Sequence, residues 1–220
     1  MPVDKIALAI LPQIFHKNRK VIQGLKEAIS AELPSFEYME LFSESNNKKF
    51  GLSAENIIRN QFGLNISGTT LYDALLVLEG KQYRIEIKCN RMIEKAKEGH
   101  FIDRALEFND NQVKRNCLNK AQKTSLIDIY GRVNNHQLNM VDLDNFDFIF
   151  CGSFFKNCCV VYVLPSKHIK DQLVPFRDQG RNKNIDIIQL VRQDYFLCVF
   201  NSKTNLTTQT LLLNKLKQYA

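Results

Sequence analysis

Two strand-like runs separated by a two-residue turn constrain this chain more than any other feature. Residues 71–78 and 81–88 are rich in β-branched, aromatic and aliphatic side chains, and Glu79-Gly80 lies between them. Runs of this kind joined by such a turn predict an antiparallel β-hairpin. Because residues that face each other in a hairpin point to the same side, the turn also decides which side chains meet.

The predicted hairpin brings three charged side chains together. With a two-residue turn Asp73 lies opposite Glu86, and the alternation of side chains along a strand places Lys88 on the same face. A turn shifted by one residue pairs Asp73 with Lys88 and keeps the cluster. Two opposed carboxylates repel by roughly 0.2–1 kcal/mol in an exposed sheet, and by more when they are desolvated. A divalent cation between them turns this repulsion into coordination, since one or two carboxylates plus water and phosphate oxygens commonly hold Mg²⁺.

The cluster resembles the core motif of the PD-(D/E)xK nuclease superfamily, which is an acid, a variable gap, and then acid–any residue–lysine. Asp73 supplies the first acid and Glu86-Ile87-Lys88 the second part, while Tyr72 stands where the family has proline. The resemblance covers roughly residues 50–165. It implies an α/β fold in which a central mixed β-sheet carries a catalytic antiparallel hairpin and is flanked by helices, as in restriction endonucleases.

The same resemblance implies a role for each residue. Asp73 and Glu86 bind Mg²⁺ with the main-chain carbonyl of Ile87 as a third ligand, and Lys88 positions the attacking water, or acts as base if desolvation lowers its own pKa. In that family a glutamate from the helix before the hairpin often completes the site, and Glu55 is the candidate here. The alternative is that Glu55 is a surface acid favoured by the helix dipole.

Within the superfamily, the small chain with its Arg-, Asn- and Gln-rich segments is most similar to a type II restriction endonuclease. We therefore expect a homodimer that cuts double-stranded DNA at a specific sequence with Mg²⁺. Two alternatives stay open. One is a structure-selective repair or junction nuclease of the same fold, and the other is a non-catalytic nucleic-acid-binding protein.

The composition is compatible with this expectation. The formal net charge of +7 and the pI near 9.1 favour a polyanionic partner. The six cysteines form no C-x-x-C pair and the four histidines lack ligand spacing, so we expect reduced cysteines, no zinc and a cytoplasmic protein. Because we find no leader pattern and no run near the ~20 apolar residues of a membrane span, we expect no membrane contact.

The chain is predicted to form one nuclease domain, 1–220. It divides into N-terminal helices within 1–45, a catalytic core over 50–165, and a C-terminal segment for DNA or dimer contact over 166–220. Further local predictions are a polar linker at 43–50, a helix capped by Ser53 and ended by Gly63, a loop or short helix at 89–100, a basic helix at 103–123, and buried strands at 146–151 and 158–164.

Two polar segments are candidates for DNA contact. One is the basic helix at 103–123, and the other is a mobile loop at 177–184, where cations alternate with amide side chains. Such side chains suit both base edges and phosphates, although a solvated surface is the alternative in each case. The candidate DNA-binding residues are Arg104, Asn109, Gln112, Lys114, Arg115, Arg177, Gln179, Arg181, Asn182 and Lys183.

Overall fold

The structure is a computed structural model. The residues that it describes are 47–95, 101–103, 106, 118–133, 136–140, 142–179, 182–200 and 208–219. The helices predicted within 1–45 lie outside these ranges, as does most of the segment between 104 and 117.

Five helices and eleven strands make up the described part of the chain. The helices are α1 (Asn47–Phe62), α2 (Lys120–Arg132), α3 (Ser166–Lys170), α4 (Ile187–Arg192) and α5 (Thr208–Lys217). The strands are β1 (Asn65–Ile66), β2 (Ala74–Leu78), β3 (Lys81–Arg91), β4 (Ile93–Lys95), β5 (Phe101–Asp103), β6 (Gln137–Met140), β7 (Phe148–Phe154), β8 (Cys159–Pro165), β9 (Phe176–Gln179), β10 (Asn182–Asp186) and β11 (Phe196–Phe200).

Six strands form a central mixed sheet in the order β1-β2-β3-β7-β8-β11. Strands β3 and β7 run parallel, and every other neighbouring pair is antiparallel. The predicted class, an α/β fold with a mixed central sheet flanked by helices, is confirmed. The two predicted buried strands are confirmed as β7 and β8, which lie in the middle of the sheet, and β8 ends at Pro165.

Each face of the sheet has its own apolar cluster. On one face α1 packs against the sheet through Ile58 and Phe62, the latter edge-to-face with Phe150 at 5.4 Å between ring centroids. On the other face α2 contributes Tyr130, whose hydroxyl is hydrogen-bonded to that of buried Tyr162 at 2.7 Å. The sheet is therefore covered on both faces, as its long apolar strands require.

The start of α1 corrects two predictions. The helix begins at Asn47, so the linker predicted at 43–50 is wrong from residue 47 onward. Ser53 is buried inside the helix and does not cap it. The physical reason is Phe50, which packs edge-to-face on Phe154 at 5.8 Å and extends the buried helix face by one turn. The predicted stop at Gly63 is confirmed, with φ of +62°.

Three further segments differ from expectation. The loop or helix predicted at 89–100 is wrong for 89–95, because β3 continues to Arg91 and β4 follows. The helix predicted at 103–123 is wrong at Asp103, which ends β5, and α2 begins only after the capping box of Asn119. The mobile loop predicted at 177–184 is wrong where the structure describes it, since β9 and β10 pair there.

A charged clamp fixes the start of the parallel pair β3–β7. Asp147 Oδ2 accepts a hydrogen bond from the Arg84 backbone N–H at 2.8 Å, and its Oδ1 accepts one from the Arg84 guanidinium at 2.8 Å. The Asp147 N–H donates back to the Arg84 carbonyl at 2.9 Å. Partial burial acts to raise the pKa of Asp147, but the hydrogen bonds from Arg84 outweigh it and lower the pKa below its ordinary value of 3.8.

Asp147→Ala is expected to lower the free energy of unfolding by about 1 kcal/mol near neutral pH, after allowance for solvent screening. Because the folded-state pKa is lowered, this stabilisation is present above the ordinary value of 3.8 and is lost as the pH falls through the folded value. Urea unfolding at about pH 7 and about pH 3 measures the loss of stability and its dependence on pH. Asp128→Ala, at an exposed acid of α2, is the control. An unchanged midpoint for Asp147→Ala at neutral pH contradicts the clamp.

Candidate active site

The hairpin formed by β2 and β3 has the predicted two-residue turn. Glu79 and Gly80 have φ of +48° and +78°, the signs that a type I′ turn requires at both positions. Leu78 pairs with Lys81 and Ala74 with Ile85. This register places Asp73, just before β2, opposite Glu86, so the alternative of a shifted turn is excluded.

The three charged residues of the motif meet as predicted. The Lys88 ammonium donates a hydrogen bond to Glu86 Oε1 and lies 3.9 Å from Asp73 Oδ2. The exposed fractions of the side chains are 28% for Asp73, 27% for Lys88 and 9% for Glu86. The cluster is thus partly open to solvent at Asp73 and Lys88 and closed around Glu86.

Asp73 has a second contact that fixes its carboxylate at the edge of β3. Its Oδ2 accepts a hydrogen bond from the Ile87 N–H at 2.7 Å, while its own N–H donates to the Ile85 carbonyl at 3.0 Å. The Asp73 carboxylate thereby accepts the hydrogen bond that the backbone of one more β2 residue would accept from β3. Because the N–H and C=O of one strand residue point to the same edge, the Ile87 carbonyl lies on the Asp73 side of β3. It is therefore placed to join the two carboxylates as an oxygen ligand.

Glu55 reaches the cluster from α1. It lies well inside the helix and not in its first turn, so the helix-dipole interpretation loses its basis. Its carboxylate forms an ion pair with Arg59 at 3.4 Å, and both side chains are mostly buried. Burial first, and then the negative charge of Asp73, raise the pKa of Glu55. Since Lys88 and Glu86 also act on it electrostatically, Glu55 belongs to the same charge cluster.

Burial and mutual charge set the protonation of the site. Burial raises the pKa of Glu86, although the neighbouring Lys88 opposes the shift. Burial alone lowers the pKa of Lys88, but the carboxylates of Glu86, Asp73 and Glu55 outweigh it and raise the pKa above its ordinary value. In this arrangement Lys88 is a cation and a hydrogen-bond donor, which favours a positioning role over that of a base.

The donor set fits Mg²⁺ as a site with two carboxylates. Asp73, just before β2, and Glu86 of β3 offer hard carboxylate oxygens, and the Ile87 carbonyl lies beside them. Within the described ranges no three His, Cys, Asp or Glu side chains are placed to hold a metal ion together. Mg²⁺ does not need a third side chain, because it usually keeps several waters and binds substrate phosphates.

Sequence reasoning missed Asn90, which continues the functional face of β3. It follows Glu86 and Lys88 at the same two-residue spacing, is buried, and donates from Nδ2 to the Gln137 carbonyl of β6 at 3.0 Å. The signal for Asn90 was the two-residue period of side chains along β3. The prediction of a loop or short helix at 89–100 ended this period too early. Asn90 connects the candidate site to a second sheet, of order β6-β10-β9.

The candidate DNA-binding residues are only partly described. Arg177 and Lys183 lie on β9 and β10 but on opposite faces of the second sheet, since Lys183 is 4.2 Å from the ring centroid of Phe176 on the core side. Gln179 and Asn182 pair with each other where β9 and β10 meet. Those that lie outside the described residues are Arg104, Asn109, Gln112, Lys114, Arg115 and Arg181.

Two features of the described part of the chain bear on the expectations from the composition. Its cysteines are all free, and four of the five are buried: Cys151, Cys158, Cys159 and Cys198. Burial raises the pKa of each thiol, so none is an activated nucleophile. None of the described helices has the length and apolar character that crossing a bilayer requires.

Comparison with models of known protein families, with curated proteins and with solved structures gives no match to this chain. The class that the structure defines is an α/β protein with a mixed six-stranded sheet. Its more specific assignment rests on the residues of the candidate site.

Proposed function

We propose that the protein is a Mg²⁺-dependent nuclease that hydrolyses phosphodiester bonds of double-stranded DNA. One observation carries the proposal. Asp73 and Glu86 face each other across a hairpin, and Lys88 lies against both carboxylates in a half-open site. A hairpin that served only stability gains nothing from two opposed acids, one of them almost fully buried.

Each residue has a distinct role in this proposal. Asp73 and Glu86 hold Mg²⁺ together with the Ile87 carbonyl. The bound ion neutralises charge on the phosphate and lowers the pKa of a water. Lys88 donates hydrogen bonds that orient the attacking water, and its charge offsets that of the carboxylates. Glu55, held by Arg59, adds negative charge beside the pair and is the candidate for a further, outer contact.

The proposed substrate follows from the charge of the chain. With a formal net charge of +7 the protein attracts a polyanion, and Mg²⁺ bound between carboxylates suits a phosphodiester. Within this class we propose a type II restriction endonuclease with a restriction-endonuclease-like fold, acting as a homodimer on a palindromic site. A structure-selective nuclease with the same residues is the second possibility, and cutting that ignores sequence distinguishes it.

A non-catalytic nucleic-acid-binding protein is favoured by a different observation. Each acid of the cluster already has a partner: Glu86 has Lys88, Asp73 has the Ile87 N–H, and Glu55 has Arg59. The cluster can therefore exist without a metal ion. Metal-dependent cleavage separates the two functions, because binding alone cannot produce it.

The first expected result is that the purified protein cuts phage or plasmid DNA in Mg²⁺ and not in chelator. Discrete bands on a gel support a sequence-specific endonuclease, and sequencing of the ends gives the site. A smear supports a nonspecific or structure-selective nuclease. Intact DNA with a mobility shift contradicts catalysis and supports the binding protein. Intact DNA without a shift contradicts both.

A further inference from the structure

The second sheet carries a row of polar side chains across its three strands. Asn184 in β10 lies directly opposite Asn139 in β6 and Arg177 in β9, so the three side chains share one face. Their neighbours along the strands, Leu138 and Ile185, point the other way and belong to the buried core. The row is therefore on the face that the sheet does not use for packing against that core.

The row combines exposed groups with one unsatisfied buried atom. Asn139 and Arg177 are exposed, whereas Asn184 between them is only 6% exposed. Among the described residues, Asn184 Oδ1 is one of three buried side-chain polar atoms without a hydrogen-bond partner. Buried amide oxygens nearly always have a partner, so this atom calls for a further group, such as a water or a ligand atom, at the row.

The row adjoins the candidate active site. Asn90 of β3 donates to the Gln137 carbonyl of β6 at 3.0 Å, and Gln137 precedes Asn139 on the same strand face. Asn90 follows Glu86 by four residues on the functional face, a separation of roughly 13 Å along a strand. A duplex with one phosphate at the site covers this distance in about four base pairs, at roughly 3.4 Å per base pair.

We propose that Asn139, Asn184 and Arg177 form a base-reading row, in which the exposed Asn139 and Arg177 contact base edges in the major groove of duplex DNA. This inference rests on the proposed function and adds which residues read the base sequence of the DNA. Asn can pair bidentately with adenine and Arg with guanine, and a two-stranded β-ribbon fits the major groove. Arg177 gives the row a positive charge that suits DNA, while the carboxylate of Asp186 on the same face accepts a hydrogen bond from the Ile188 N–H at the start of α4. Duplex DNA is the occupant to which this face is assigned.

The test uses the full-length protein and a library of duplex DNA with a randomised centre, in EDTA so that nothing is cut. The wild-type protein is expected to enrich a motif. Arg177→Lys keeps the charge but loses the planar fork. It is therefore expected to lose about 5-fold to 100-fold in affinity for the enriched duplex while keeping its affinity for a scrambled one. Asn139→Ala is expected to lose a similar factor, and Arg192→Ala, at an exposed arginine of α4, is the matched control.

Each alternative result overturns the base-reading row. For the wild-type protein these results are the absence of an enriched motif or of any binding to duplex DNA. For Arg177→Lys and Asn139→Ala they are an unchanged affinity, or an equal loss of affinity for enriched and scrambled duplexes. The last result assigns Arg177 to phosphate contact. Because Arg177 and Asn139 are exposed, these variants keep the core intact, and circular dichroism checks this. Failure of the nuclease proposal shows separately, as motif binding by a wild-type protein that cuts nothing in Mg²⁺.

Discussion

Lys88→Ala is expected to lower Mg²⁺-dependent cleavage of DNA by roughly 10²–10⁴-fold, the range for loss of a group that positions or transfers a proton. Lys88 is the cation that contacts Glu86 and lies 3.9 Å from Asp73. DNA affinity in chelator is expected to change little, because one charge among many contributes to phosphate contact. Cleavage kinetics and mobility shifts on the same duplex measure the two effects.

The matched control is Lys81→Ala, which removes the same charge from an exposed lysine at the start of the same strand. It is expected to cleave like the wild-type protein. If both variants lose cleavage equally, the effect is one of net charge and the role of Lys88 is wrong. If Lys88→Ala loses DNA binding together with cleavage, Lys88 is a binding residue and not part of the chemistry.

Asp73→Asn is expected to abolish cleavage, by roughly 10³-fold or more, since a catalytic metal supplies several kcal/mol and each 1.36 kcal/mol is a factor of ten. The substitution keeps an oxygen that can accept the Ile87 N–H, so the local structure of the hairpin is preserved. It removes the negative charge that Mg²⁺ needs. Cleavage rates over a Mg²⁺ titration measure the loss, and thermal unfolding in chelator checks the fold.

Asp73→Ala separates the structural from the chemical role of this residue. It removes the acceptor as well as the charge, so it is expected to lower the free energy of unfolding by about 1 kcal/mol relative to Asp73→Asn, with the same loss of cleavage. A protein in which Asp73 only caps the edge of β3 gives the opposite result. Asp73→Asn then cleaves normally, and only Asp73→Ala is impaired.

The hairpin could be predicted from sequence because its determinants are local. The Glu79-Gly80 turn fixes the register, and the register alone decides that Asp73 faces Glu86. The central strands could be predicted for a similar reason, as β7 and β8 are apolar along their whole length. The position of Glu55 beside the cluster could be predicted only from the family resemblance. It depends on how α1 packs on the sheet, and no local pattern indicates it.

The errors arose where distant contacts override local preference. The polar residues at 43–50 suggested a linker, yet the contact of Phe50 with Phe154 brings its second half into α1. Strand β3 continues beyond Lys88 because β7 pairs with it as far as Arg91, a partner 63 residues away. Strands β9 and β10 are polar on one face, so their local pattern predicts a loop, and pairing with each other and with β6 makes them strands.

The two partners of β3 also set the order in which the site is assembled during folding. Hairpins form in about 1–10 μs, whereas parallel pairing with a distant strand must first close a long loop and is slower. Asp73, Glu86 and Lys88 therefore meet while water still surrounds them. Ile149 of β7 lies beside Glu86 in the sheet, so the burial of this acid is complete only after β7 has docked. The energetic cost of burying this acid thus falls on the late stage of folding, when the sheet closes, and not on the formation of the hairpin.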